Sequence, residues 1–334
     1  MKRFLLVASL AMISLFCGSW GFLVHRTVNQ LAIYELPKDM RFFFYENREE
    51  IVHSAIRPDQ RRSKDSTEAP KHFIDMEAFG ANASATMPHD WAGAVKMYTR
   101  DTLVRYGYLP YWIIVMKERL VNAFRAGNAD SIIFYATDMG HYLADANVPL
   151  HTSINYDGQL SGQRGIHALW ESVIPELEIT QYQLHSPHHA EYLSNPTEKI
   201  WETLDHSHSL LTSMFSLEKE VSKQFNDSTK YRVQMRNGRE VKYYTSTFAK
   251  AYSAALQPTI NDQLLRSSNL IADFWYTCWV DAGKPDLHPL LKQPLSHDEK
   301  KQIKHEEKAW KKNQLIEKGW LISKKEEVKD SANQ

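Results

Sequence analysis

Cysteine is nearly absent: the 334 residues contain two, Cys17 and Cys278. Cys17 lies in a leader-like start, so an exported chain would keep one thiol and no internal disulfide, which excludes the small disulfide-stapled scaffolds. Cys278 sits in FWYTCW and is expected to be a buried, inert thiol. An excess of either charge is also missing, since Lys plus Arg and Asp plus Glu number 40 each. That balance argues against a nucleic-acid packaging protein and leaves room for an enzyme that grips one phosphate locally. Past the N-terminus no apolar run is long enough to cross a bilayer. Internal repeats, low-complexity tracts and a phosphate-cradling Gly-rich loop are all absent.

What is present is apolar and aromatic. Hydrophobic residues make up 43% and aromatics 12%, with nine Trp and sixteen Tyr, enough for a substantial core in one large domain or two ordinary ones. The start, MKRFLLVASLAMISLFCGSW, has a basic end, an apolar run from Phe4 to Phe16 and the small residues Gly18 and Ser19. It reads as a secretory signal peptide over residues 1–19, cleaved before Trp20, with delivery to the periplasm or the outside of the cell. The rival reading, a lipid anchor on Cys17, is disfavoured by Phe16, which stands where a small residue is expected. Stability of the exported chain then rests on its core, on bound metal, or on both.

Apolar periodicity predicts an all-α fold. Helices are expected over Leu23–Leu36, Asp39–His53, Ala92–Tyr106, Pro110–Ala126, Ala129–Ala146, His167–Val173, 196–223, 246–256 and Pro258–Val280. One β signal stands out: in YRVQMRNGREVKYY, Asn237-Gly238 separates two alternating runs and predicts a small exposed hairpin. After Pro285 the composition turns to Lys and Glu, and residues 286–334 read as a charged tail with a solvated helical face. Residues 20–285 form the expected functional domain, and no stable protein partner is predicted.

Chemistry-bearing residues cluster in HYLADANVPLH and GIHALWES. These hold His141, Asp145 and His151, then His167 and Glu171. Two His-x-x-x-acid pairs are no more than about the chance number for fifteen His in a chain with 40 acids. Context raises their weight, because Asp145 lies in an apolar helix where an unpaired carboxylate is costly, and a metal would neutralise it and orient His141. Further ligands are available in WGFLVH (Trp20, His25), IRPDQRR (Asp59, with Asp65 as an alternative) and KHFIDME (His72). The histidines of HSPHH (185–189) and HSH (206–208) read most simply as exposed polar residues.

With these segments in hand, the chain resembles the superfamily that joins bacterial zinc-dependent phospholipase C to the single-strand-specific zinc nucleases of fungi and plants. The resemblance rests on Trp20 followed closely by His25, an isolated Asp59, and His-Phe-x-Asp at His72. His-x-x-x-Asp at His141, His151 six residues after Asp145, and His-x-x-x-Glu at His167 complete it. It spans residues 20 to about 281 and is specific as an ordered set. It implies a mostly helical phospholipase C/nuclease-like fold with three Zn²⁺ in a cleft and a small β-hairpin insertion. One zinc would bind Asp59, His72, His141 and Asp145; a second would bind His151, His167 and Glu171. A third would take the free amine and carbonyl of Trp20, His25 and a shared oxygen of Asp145. The implied activity is phosphodiester hydrolysis by zinc-bound hydroxide, with Asp59 as a possible proton acceptor.

The substrate divides the branches. Glu171, the short interval from His151 to His167, HYLADANVPLH and the aromatic helix IADFWYTCW resemble the phospholipases. The close Trp20–His25 spacing and HFIDME resemble the nucleases, as does Arg62, three residues after Asp59, where the nucleases carry a phosphate-contacting Arg; Arg61 is its alternative. Phe73 could stack a base or fill the core, and Asp75 could cap or brace its loop or touch substrate. The expectation leans to a phospholipase C-like hydrolase acting on phospholipid. A nuclease acting on single-stranded DNA or RNA is the alternative, and a non-catalytic exported zinc-binding protein the third reading.

Overall fold

The computed structural model describes residues 21–236 and 238–325. The signal peptide, the Cys17 and Trp20 readings, Asn237 and the last residues of the tail lie outside them. The fold is mostly helical with one two-stranded antiparallel sheet, as the periodicity predicts.

The first helix, α1 (Phe22–Glu35), ends before Pro37, which cannot continue it. The stretch expected as one helix to His53 divides into α2 (Lys38–Glu46) and α3 (Arg48–Ser54) at Asn47, whose side-chain amide donates to the Phe43 carbonyl at 2.8 Å. That local bond competes with helix continuation. Next come α4 (Arg57–Arg61) and the short α5 (Ala83–Thr86). The predicted 92–106 helix is likewise two, α6 (Trp91–Tyr98) and α7 (Arg100–Tyr106), parted by Thr99 at φ 66°. The Thr99 hydroxyl accepts from the Thr102 N–H and so starts a new helix.

Helices α8 (Leu109–Arg125) and α9 (Ala129–Asp145) match their expected spans. Asn128 caps α9 by accepting from the Ser131 N–H at 2.9 Å, and Asp130 complements its N-terminal dipole. The segment after Gly165 is less regular. A single turn, α10 (Ile166–Ala168), runs into a π-turn over Leu169–Val173 and then α11 (Ile174–Glu178). Pro175 explains the wide turn: it has no N–H for the Glu171 carbonyl, and its ring would clash there in a regular α-helix.

The 196–223 region is α12 (Pro196–Ser209) and α13 (Leu211–Ser222), followed by α14 (Asp227–Lys230). The hairpin is β1 (Tyr231–Arg236) paired with β2 (Arg239–Tyr244), Val233 opposite Lys242 and Met235 opposite Glu240. Then follow α15 (Ser246–Leu256), the 23-residue α16 (Thr259–Asp281) and α17 (His297–Lys311). No helix among the described residues is long and apolar enough to cross a membrane.

Helices α1, α8, α9 and α16 pack on one another around the larger core cluster; a second cluster lies under the hairpin and α15. At Gly140 in α9 an added Cβ would lie 2.1 Å from Asn29 Oδ1 of α1, so glycine is what lets these two helices approach. Cys278 is fully buried and desolvation raises its pKa, in line with an inert thiol.

The solvated-tail expectation fails for the described part. Ile303, Ala309, Trp310, Leu315 and Leu321 belong to the main core, and the chain beyond α17 returns to α1. There Gln30 donates to the Trp320 carbonyl at 2.7 Å and accepts from the Ile322 N–H at 2.8 Å. The Lys and Glu residues hid an apolar stripe because composition averages over both helix faces.

Candidate metal centre

Eight predicted ligands meet in three groups, each able to hold a metal ion: His25, His141 and Asp145; Asp59, His72 and His141; His151, His167 and Glu171. Six separate elements supply them. Helix α1 gives His25, α4 gives Asp59, and a 3₁₀ turn at Ala69–Lys71 delivers His72. The C-terminal turn of α9 gives His141 and Asp145 on one face, and a second 3₁₀ turn begun by Pro149 gives His151. His167 and Glu171 come from the α10 and π-turn segment.

Two backbone bonds lock this assembly. The His151 ring Nδ1 donates to the His72 carbonyl at 2.7 Å, and the His151 carbonyl accepts from the Ile74 N–H at 2.9 Å. Likewise His141 Nδ1 donates to the Ala55 carbonyl at 2.8 Å. A carbonyl can only accept, so in both rings Nδ1 carries a proton and Nε2 is the nitrogen turned to the cluster. His141 Nε2 faces His72 Nδ1 at 3.2 Å, and His151 Nε2 faces His167 Nε2 at 3.1 Å. Ring nitrogens this close need a positive charge between them, a proton or a metal ion. The outward Nδ1–H bonds are the arrangement that orients metal-binding imidazoles.

Asp145 is the hub. Its Oδ2 lies 2.9 Å from His72 Nδ1 and 3.4 Å from His141 Nε2; its Oδ1 lies 3.5 Å from His151 Nδ1 and 3.6 Å from His25 Nε2. Burial pushes this carboxyl up, but the surrounding histidines prevail and hold it well below the usual carboxylate range. Glu171 behaves the same way: burial raises it, and bonds from His151, His167 and His25 lower it further. His141 falls to about 3 through desolvation and its neighbour His25, on which it stacks at 3.9 Å between ring centroids. His151 rises to about 9, because Asp145 and Glu171 outweigh desolvation. With two carboxylates kept ionised among imidazoles, and with His25 Nε2, His72 Nδ1 and His141 Nε2 all turned toward Asp145, the donor set fits a cation. His25 Nε2 also lies 3.5 Å from Glu171 Oε1, closer than the separate-site assignment anticipates.

The sequence alternatives separate. Asp65 accepts from the backbone and hydroxyl of Thr67 and joins no ligand group, so Asp59 is the group member. Arg61 is committed to Asp138 at 2.7 Å and Glu68 at 3.2 Å. Arg62 stays 48% exposed with Nη1 3.5 Å from Asp59. Phe73 is half-buried and its carbonyl holds the Leu109 N–H. The Asp75 side chain makes no cap bond, against the capping alternative; only its backbone braces the loop, donating to the Tyr106 carbonyl at 2.7 Å. Among the described residues Gly21 sits against the site: its N–H donates to Ser172 Oγ, and at φ 77° an added Cβ would lie 2.8 Å from Glu171 Oε1.

The exposed-polar reading of the other histidines is corrected in part. His188 lies 2.7 Å from Asp273, His206 pairs with Gln263, and His208 meets Thr152 next to His151. Sequence reasoning also missed Glu68. It is buried, accepts from Lys71 Nζ at 2.8 Å and from the Tyr142 hydroxyl, and lies 3.6 Å from His72 Nε2. Its signal was available as an acid four residues before His72, the reverse of the His-x-x-x-acid order.

Asp75 yields a pH prediction. Burial, then repulsion from Glu77, raises its pKa to about 7 from an ordinary 3.8. Between those values the folded chain binds more protons than the unfolded one, so this contribution, full below about pH 4, is lost as pH rises through 7. Asp75→Asn should match the wild type in urea melts at pH 4 and exceed it at pH 8. Equal stability at both would show that the carboxyl is not desolvated.

Scanned against protein-family models the chain matches none, and no curated protein matches it.

Proposed function

We propose that this chain is a zinc-dependent phosphodiester hydrolase of the phospholipase C-like kind, holding three zinc ions at the clustered residues. The observation that carries the reading is the convergence of eight donors drawn from residues 25 to 171, with the His141 and His151 rings oriented from outside by backbone carbonyls. Asp59, His72, His141 and Asp145 would hold one ion and His151, His167 and Glu171 a second. The third would take His25, Asp145 and the amine and carbonyl of Trp20. The contact of Gly21 with Ser172 and Glu171 supports that last assignment. Bound zinc supplies a Lewis acid that lowers the pKa of water toward neutrality and offsets phosphoryl charge.

The chain's own groups would do the rest. Asp59, 22% exposed and thus the most open carboxylate of the set, would accept the proton of the attacking water. Arg62 beside it would receive a phosphate oxygen. Asp145, nearly fully buried, would keep its negative charge and balance the cluster. Glu68, fixed by Lys71 and Arg61, would hold the far edge of the His72 ring. A second reading, a single-strand nuclease, draws on Arg62, which is half exposed beside Asp59, whereas Arg61 is committed to Asp138 and Glu68.

The test offers processed protein phosphatidylcholine and single-stranded DNA or RNA in parallel, with and without chelator. Chelator-sensitive release of phosphocholine is the expected result. Release of 5′-nucleotides instead transfers the chain to the nuclease reading, and inactivity on both with zinc bound overturns hydrolysis altogether.

A further inference from the structure

The imidazoles of the centre are not all steadied in the same way. His141 and His151 donate from Nδ1 to backbone carbonyls, and His72 turns Nε2 to Glu68. His25 stacks on His141 from within the long α1. Among the described residues the His167 ring reaches only His151 and Glu171, the members of its own ligand group. It is also the most exposed ring of the set, at 25% against 7% or less for the others. Its helix, α10, is a single turn that opens into the π-turn. The position of His167 therefore has to be fixed through its backbone.

The residues just before α10 are pinned from outside the cluster. Gly165 at φ 96° precedes the helix and donates its N–H to the Asp157 carbonyl at 3.1 Å and to Asp157 Oδ1 at 3.0 Å. The ring of Tyr244, the last residue of β2, covers this glycine, 3.6 Å from where a Cβ would stand. Gln163 is buried, and its carbonyl accepts from the Ile166 N–H at 3.2 Å. Its side-chain amide donates to Glu218 Oε2 at 2.6 Å and to the Phe215 carbonyl at 2.8 Å, both on α13.

Glu218 is the meeting point. It is fully buried, pairs with Lys230 Nζ at 2.7 Å and accepts from the Tyr244 hydroxyl at 2.9 Å. Lys230 stands immediately before β1, so loop, hairpin root and α13 are tied at one carboxylate. Such a pair adds little stability over apolar packing of the same volume, while its bonds narrow the geometry of the groups around it. The far end of the loop is tied as well: Glu77 accepts from the Ser153 hydroxyl at 2.6 Å and the Ile154 N–H at 3.1 Å.

We propose that the hairpin root and α13, joined to the 153–165 loop through Glu218, Gln163 and Tyr244, form a brace that positions His167. The brace thereby sets the metal affinity of the His151, His167 and Glu171 group. Its three members are positioning residues, since none belongs to a ligand group. The inference rests on the metal reading above and is indifferent to which phosphodiester is cleaved.

The experiment titrates zinc into processed, metal-stripped protein against a competing chelator, and reads the sites separately by cadmium NMR of cadmium-loaded samples. Gln163→Met keeps the side-chain length and removes both donated bonds; Tyr244→Phe keeps the ring and removes the hydroxyl. Each should weaken one ion by about tenfold, the lower end of the range for losing an outer partner of a metal ligand, and shift one cadmium resonance. Tyr252→Phe is the control for stability alone. It lies in the same apolar cluster and loses a buried bond to the Met214 carbonyl, but it does not touch the loop, so its zinc affinity should stay at the wild-type value. Wild-type affinity in both brace variants overturns the proposal. So does equal weakening by Tyr252→Phe, or a loss spread over every ion. A wild type that takes up no zinc fails the metal reading itself, and the brace falls with it. Selective loss of one ion in a protein that cleaves neither substrate supports the brace while failing the hydrolase reading.

Discussion

Asp145→Asn is expected to remove two of the three proposed zinc ions and to lower the proposed phosphodiesterase activity by about 100-fold or more, the upper range seen when groups that merely orient metal ligands are lost. The carboxylate reaches His72, His141, His151 and His25 within 3.6 Å, so both proposed ions on its side of the cluster share it. An amide can offer one neutral oxygen to one ion, and its NH₂ group turns a donor toward whatever stands on the other side. The His151, His167 and Glu171 group does not include Asp145, so one ion should remain. Metal analysis of the purified variant, with circular dichroism to establish folding, gives a readout independent of turnover. Three ions retained at full activity would sink the shared-ligand assignment. Loss of all three would make Asp145 a requirement for folding the cleft rather than a ligand alone.

The grouping of the candidate ligands was legible in part from sequence because four of the eight come in short local pairs. A four-residue step on a helix puts His141 and Asp145 on one face whatever the tertiary fold, and the same step brings His167 Nε2 within 2.8 Å of Glu171 even across a π-turn. The framework behind those pairs was not legible. The bonds from His141 to Ala55 and from His151 to His72 go to backbone carbonyls, which carry no residue identity. The buried acid Asp138 meets Arg57 and Arg61 across about eighty positions, a pairing that no local spacing records. Helix breaks were missed at Asn47 and Thr99, where a polar side chain captured a backbone group and outweighed an otherwise unbroken apolar period.

Trp310→Ala should cost about 3–5 kcal/mol of stability, the usual range for emptying a large aromatic site in a core. Trp310 lies in the segment whose composition suggested solvent, yet it is 1% exposed. It stacks on Tyr34 of α1 at 5.6 Å between ring centroids and donates its indole N–H to the Leu184 carbonyl at 2.7 Å. The substitution therefore opens a cavity and leaves a buried carbonyl unpaired. A shift in urea midpoint at unchanged slope measures it, and a change within about 0.5 kcal/mol, the range of an ordinary surface substitution, would show that the segment does not pack as described. Ending the chain at residue 296 should cost more. That deletion also removes the Thr27–Ser323 contact, the Gln30 bonds to the 320–322 backbone and the Glu306–Tyr34 bond, all of which grip α1. Because α1 carries His25 into the cluster, the truncated chain should hold zinc more weakly even where it remains folded. The charged C-terminal segment would thus act on the metal centre through the back of the helix that supplies one of its ligands.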